Sequence, residues 1–183
     1  VGAPGAIHDK LAWVKDTKVV IGASGTDGPN IKGSVYGSGE NGHVFQNTRI
    51  DINGGTIGML TIPDADNTDS EPHAGPDYPY RGNVYGGGCG TDKYYSGDIP
   101  TGHSAYDGEG DTYNALAGIV LGTTTVNITD GHVIHNVYGA GAMGSVGKAT
   151  TTGDVTAITG GTTTINVSGG TIGVDGTNGD GNV

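Results

Sequence analysis

The amino-acid sequence predicts an all-β fold, a parallel β-helix (solenoid) with two long loop insertions, and three observations predict it. The first is composition. Of 183 residues 38 are Gly, the acids are 16 Asp and 3 Glu, and the aliphatics are 16 Val and 14 Ile against 4 Leu. Asp and Gly serve turns and β-branched residues serve strands, whereas the helix formers Glu and Leu are scarce. There is no Gly-X-Y period and only 7 Pro, so neither a collagen rod nor a disordered chain accounts for the glycine. The second observation is repetition. Val35-Tyr36-Gly37, Val84-Tyr85-Gly86 and Val137-Tyr138-Gly139 recur after small polar residues, Ser34, Asn83 and Asn136. The third is alternation: Ile50/Ile52, Val126/Ile128 and Ile165/Val167 alternate with Thr, Asn and Asp, the period of two that sends one face inward.

In chain order, residues 1–16 read as an N-terminal cap or lead-in and 17–183 as the repeat segment, with insertions at 59–81 and 89–115. Residues 17–25 read as a worn first copy of the alternating motif. Its full copies are Thr48-Arg49-Ile50-Asp51-Ile52-Asn53-Gly54-Gly55-Thr56-Ile57, Thr124-Thr125-Val126-Asn127-Ile128-Thr129-Asp130-Gly131-His132-Val133 and Thr163-Thr164-Ile165-Asn166-Val167-Ser168-Gly169-Gly170-Thr171-Ile172. The Val-Tyr motifs are 49 and then 53 residues apart, and the chain ends 46 residues further on at Gly181-Asn182-Val183, where a fourth copy begins. Repetition with elastic spacing reads as stacked coils with loop insertions, one or two coils per repeat. Stacking puts equivalent residues about 4.8 Å apart. Tyr36, Tyr85 and Tyr138 are expected to form one ladder and Asn83, Asn136 and Asn182 another. The expected core is Val35, Ile50, Ile52, Ile57, Val84, Val126, Ile128, Val133, Val137, Ile165, Val167 and Ile172.

These residues resemble the Gly-rich "NVYGGG…TTVNITGGTIG" repeats of very long, adhesin-like secreted and surface proteins of gut-type bacteria. The resemblance covers 17–183 and leaves Trp13 outside. It implies a right-handed parallel β-helix at the cell surface or outside the cell, continuing beyond 183. The opening Val1-Gly2-Ala3-Pro4, with neither Met nor a signal-like stretch, is read as the start of a mature or internal piece.

Charge narrows the partners. With a net charge of −11, two Arg and six Lys, the chain is not built to neutralise a row of phosphates, so nucleic acid and anionic membranes are not expected partners. No apolar run approaches the roughly 20 residues of a spanning helix. The single Cys89 permits no internal disulfide.

Candidate chemistry concentrates in the insertions, because loops on a rigid scaffold carry function more often than the scaffold does. Asp64, Asp66, Asp69 and Glu71 supply four carboxylates within eight residues, and Asp107, Glu109 and Asp111 alternate as ligands do at the start of a calcium loop. The first run also reads as a solvated acidic loop, since it lacks the central Gly and the helical flanks of a calcium loop, and the second lacks both the turn glycine and the closing bidentate acid. Calcium is therefore the one cofactor considered, as a rigidifier. Tyr78, Tyr80, Tyr94, Tyr95 and Tyr106 offer flat rings with polar tips for sugar. The six His are unclustered and read as surface residues, and His73 with His103 would need an added acid to hold zinc. The coils turn outward Asp51, Asn127 and Asn166, one acid with only Arg49 beside it, so no catalytic carboxylate pair is expected.

The expected function is a structural and adhesive segment of a long extracellular bacterial protein, a scaffold displaying loops to a host or bacterial surface glycan or protein. The segment is expected to be non-enzymatic, without membrane insertion, and capable of end-to-end self-association through open strand edges. The alternative is a carbohydrate-binding or carbohydrate-cleaving β-helix protein.

Overall fold

The computed structural model describes residues 13–39, 42–59, 82–90, 93–95, 97–103, 110–113, 116–152 and 155–173. Every regular element among them is a strand: β1 (Trp13–Val14), β2 (Thr17–Ile21), β3 (Asn30–Ile31), β4 (Val35–Tyr36), β5 (His43–Val44), β6 (Thr48–Ile57), β7 (Val84–Tyr85), β8 (Lys93–Tyr94), β9 (Thr112–Tyr113), β10 (Thr123–Val133), β11 (Val137–Tyr138), β12 (Gly147–Thr152), β13 (Val155–Gly160), β14 (Thr162–Val167) and β15 (Thr171–Ile172). The fold is all-β, built mainly from parallel pairings.

The repeated motifs pair with one another in register. Strands β2, β6, β10 and β14 run side by side, aligning Val19, Ile50, Val126 and Ile165 in one row and Ile21, Ile52, Ile128 and Val167 in the next. The second half of the long strands carries β3 and β15, aligning Ile31, Ile57, Val133 and Ile172. The Val-Tyr strands β4, β7 and β11 form a third parallel set. A fourth row, Val14, Val44, Val120 and Val146, is held by the β1–β5 pair and two isolated parallel bridges. Each pass of the chain thus visits the four rows in the same order.

The core follows this register. Ile50, Ile52, Ile57, Val84, Val126, Ile128 and Val133 are fully buried, and Val35 and Val137 nearly so. Ile165 and Ile172 are only partly buried against this cluster. Val167 departs from the expected core: it is 48% exposed. It occupies the right row but the last described pass, so nothing described packs beyond it. Two further rows, one of polar bonds and one of stacked rings, follow the same register. Ser34 Oγ accepts the Asn83 backbone N–H at 3.1 Å, and Asn83 Oδ1 accepts that of Asn136 at 3.0 Å. The next member, Asn182, lies outside the described residues. Tyr36, Tyr85 and Tyr138 stack with centroids 4.9 Å apart and planes within 10°.

Each pass is also tied across itself. The hydroxyls of Thr17, Thr48 and Thr124 donate to the carbonyls of Gly37, Gly86 and Gly139, joining the start of the long strand to the residue after Val-Tyr in the same pass. Glycine is required there by contact: a Cβ on Gly86 would lie 2.3 Å from the Gly139 oxygen. A different requirement holds at Gly131, whose φ of 97° lets β10 bend between its two halves.

Insertions interrupt the passes at different corners. Residues 60–81 separate β6 from β7, and 89–115 separate β7 from the Val120 row. Within the second, β8 and β9 pair antiparallel. A third interruption, the antiparallel hairpin of β12 and β13, lies between Val146 and β14. Two histidines expected on the surface are buried instead. His43 is 0% exposed, its ring tilted 55° against that of Trp13 with centroids 4.8 Å apart, and His135 is 2% exposed beside Gly82. His43 lies in β5, paired with Trp13 of β1, and His135 in the bend between β10 and β11, a crowding that the spacing of His along the chain does not convey.

Candidate functional site

The alternation that buries Ile50 and Ile52 turns Arg49, Asp51 and Asn53 outward. Register then places Thr125, Asn127 and Thr129 beside them on the next pass, with Asn166 and Ser168 on the third. Together they line an open depression of about 450 Å³. Its polar groups are locked to one another. Arg49 Nε donates to both Asp51 carboxylate oxygens, at 2.8 and 2.9 Å, and Lys18 Nζ stands 3.6 Å from Asp51 Oδ2. Asn127 Nδ2 donates to Asp51 Oδ1 at 2.7 Å, and Asn166 Nδ2 to Asn127 Oδ1 at 2.8 Å. A carboxylate only accepts, so it orients the first amide, and that amide orients the second. Thr129 Oγ1 donates to Asn53 Oδ1 at 2.8 Å in the adjoining row.

These partners set the charge state. The Arg49 hydrogen bond lowers the Asp51 pKa from its ordinary value; burial pushes the other way, and the Asn127 amide and the charges of Arg49 and Lys18 add to the lowering. Asp51 is therefore a fixed anion at neutral pH. It is suited to holding a guanidinium and an amide in place and unsuited to proton shuttling.

A second depression, of about 460 Å³, is apolar and lined by Trp13, Phe45, Leu116, Leu121, Lys148 and Ala149. It arises from the residues that follow the Val14–Val146 row. Phe45 and Leu121 hang from parallel bonds, Phe45 N to Val14 O at 2.8 Å and Leu121 N to Val44 O at 2.9 Å. Phe45 is 61% exposed, with its ring edge-on to Trp13 at 6.1 Å.

Of the calcium candidates, Asp64, Asp66, Asp69, Glu71, Asp107 and Glu109 lie outside the described residues. Asp111 is exposed just before β9 and accepts from the Thr112 hydroxyl at 3.3 Å. Among the described residues no three His, Cys, Asp or Glu side chains converge as a metal would need. Of the tyrosines, Tyr78, Tyr80 and Tyr106 also lie outside, as does the side chain of Tyr94. Tyr95 is half-buried, and its hydroxyl lies 3.1 Å from His103 Nδ1. Neither depression was singled out as a site by sequence reasoning, although the outward triplet Arg49-Asp51-Asn53 is visible in the alternation. The apolar depression had weaker signals, since Trp13, Phe45 and Leu121 belong to no repeat.

Comparison with known protein families, curated proteins and solved structures finds no match to this chain.

Proposed function

We propose that this chain is a parallel β-helix segment of a long extracellular surface protein, a structural and adhesive scaffold that presents loops and faces to a glycan or protein partner. The observation that carries the reading is the constancy of register. Val35, Val84 and Val137 stay aligned although 49 and then 53 residues separate them, and the chain between passes leaves at three different corners. A scaffold indifferent to insertion length is what loop display requires, because closure entropy grows only slowly with loop length. The resemblance to adhesin-like repeats supports an extracellular or cell-surface setting, and calcium bound by the acidic insertions belongs to the same reading as a loop stiffener. End-to-end self-association is also part of it, through the edge of β14 and the exposed Val167. The test is removal of 60–81 and 91–115. The shortened chain is expected to keep its cooperative melt and lose binding to cells or matrix, and loss of the melt itself would overturn the scaffold reading.

The second reading, carbohydrate binding without cleavage, is favoured by the polar depression. Its amides are held rigid by lateral bonds, so little side-chain entropy is lost on contact. Its lining holds one carboxylate, already ion-paired, where glycoside cleavage commonly uses two.

A further inference from the structure

From the polar depression we propose that Arg49 anchors a subsite for a carboxylated sugar, within a sparsely charged polysaccharide lying across the passes. The proposal rests on the carbohydrate-binding reading and adds the ligand class. Arg49 engages Asp51 through Nε alone, so its two terminal amino groups have no hydrogen-bond partner among the described residues. The Arg49 side chain is 56% exposed and that of Asp51 11%. The guanidinium is therefore fixed from behind while its outer edge, the pair of N–H donors that matches a carboxylate, faces the solvent side of the groove.

The neighbours suit sugar hydroxyls. Thr125 stands on the adjacent rung to Arg49 and its hydroxyl has no partner among the described residues. One rung is about 4.8 Å. The Asn127 and Asn166 amides turn their N–H groups toward Asp51 and their oxygens away from it, which leaves the Asn166 carbonyl oxygen as an acceptor at the end of a polarised chain. An extended peptide is the poorer fit. It would bind by adding a strand to an open edge, whereas β6 is flanked by β2 and β10, and β10 by β6 and β14.

Charge sets the density of acids the ligand can carry. Lys18 and Arg49 against Asp51 leave this face one positive charge in excess, on a chain of net −11. One carboxylate is attracted and a dense polyanion is repelled at longer range.

The test uses the full chain and two soluble oligosaccharides that differ only in a uronic acid present as free carboxylate or as its methyl ester, titrated calorimetrically beside an oligoglutamate peptide. The free acid is expected to bind about tenfold tighter than the ester, an exposed, charge-assisted contact. Arg49→Gln is expected to abolish that difference while Asn127→Ala weakens both forms, each variant first shown to melt like the parent. Equal binding of acid and ester, still weakened by Asn127→Ala, overturns the carboxylate subsite and leaves the carbohydrate reading standing. Binding of neither sugar overturns both. Arg49-dependent binding of the peptide in preference to the sugars replaces the ligand class and overturns the proposal.

Discussion

Replacing Gly86 by Ala should destabilise the protein by several kcal/mol, although the same change elsewhere is expected to help. Gly86 does not have positive φ, so the backbone itself would accept a side chain. The obstacle is the next pass: the new Cβ would sit 2.3 Å from the Gly139 oxygen and 3.1 Å from the Thr124 Cβ. Relief requires the two rungs to separate, which strains the two bonds that cross between them, Gly86 N to Tyr138 O at 2.8 Å and Gly87 N to Ala140 O at 3.2 Å. Two hydrogen bonds at about 1 kcal/mol each, with an overpacking cost of about 1–3 kcal/mol, give roughly 3–5 kcal/mol. Gly33→Ala is the control, because φ there is ordinary and a Cβ meets nothing within 4 Å. It should be neutral or stabilising by up to about 1 kcal/mol through the unfolded chain. Urea denaturation of the two variants decides the matter. A Gly86→Ala protein within about 0.5 kcal/mol of the parent would refute the close stacking of these rungs.

Ile128→Asp should unfold the chain or cost several kcal/mol by burying an unpaired charge, while Val167→Asp, in the same row but half-exposed, should change stability by less than about 1 kcal/mol; parallel thermal melts compare them. Asp51 gives a pH signature. Its folded pKa lies below the ordinary value of 3.8, so its contribution is complete above that value and is lost as pH falls through it toward the folded pKa. Asp51→Asn should therefore flatten the acid side of the stability curve measured from pH 6 downward. For the calcium reading, a melt with added calcium should run higher than one with chelator, and coincident curves would remove the ion from the account.

Legibility in the sequence followed the physics of repetition. Alternation with period two gave the inward residues of β6 and β10 without error, because those strands have a neighbour on each side. The same rule failed at Val167, since alternation reports which face a side chain joins and not whether another pass covers it. Identical residues at equivalent positions made the Tyr stack and the Asn83–Asn136 step readable, whereas Ser34, a different residue, joins that row only in the structure. The Val14–Val44–Val120–Val146 row was not readable, because one isolated residue per pass carries no period. The hairpin of β12 and β13 was missed although a signal was present, since its Thr-rich strands flank Gly153-Asp154, a dipeptide that marks a tight connection. The polar depression was half legible. Asp51, Asn127 and Asn166 were placed in one outward row, but their chain of bonds depends on side-chain orientation that spacing does not encode.

The same register accounts for two kinds of surface with different tolerances to change. Corners accept long insertions because Thr-to-Gly bonds tie β2, β6 and β10 to the glycine after their Val-Tyr strands and equivalent strands pair with one another, so a loop between rows carries little of the fold. Flat faces accept no insertion at all, since one extra residue in β6 or β10 would turn Ile52 or Ile128 outward and Asp51 or Asn127 inward. Chemistry at the corners can therefore vary in length and composition, as the acidic and tyrosine-bearing insertions do. Chemistry on a face is confined to side-chain exchange on a fixed lattice. A ligand held at the corners can be of almost any shape, whereas one held by Arg49, Thr125, Asn127 and Asn166 must repeat its own polar groups at the spacing of the rungs, as a polymer of similar units does.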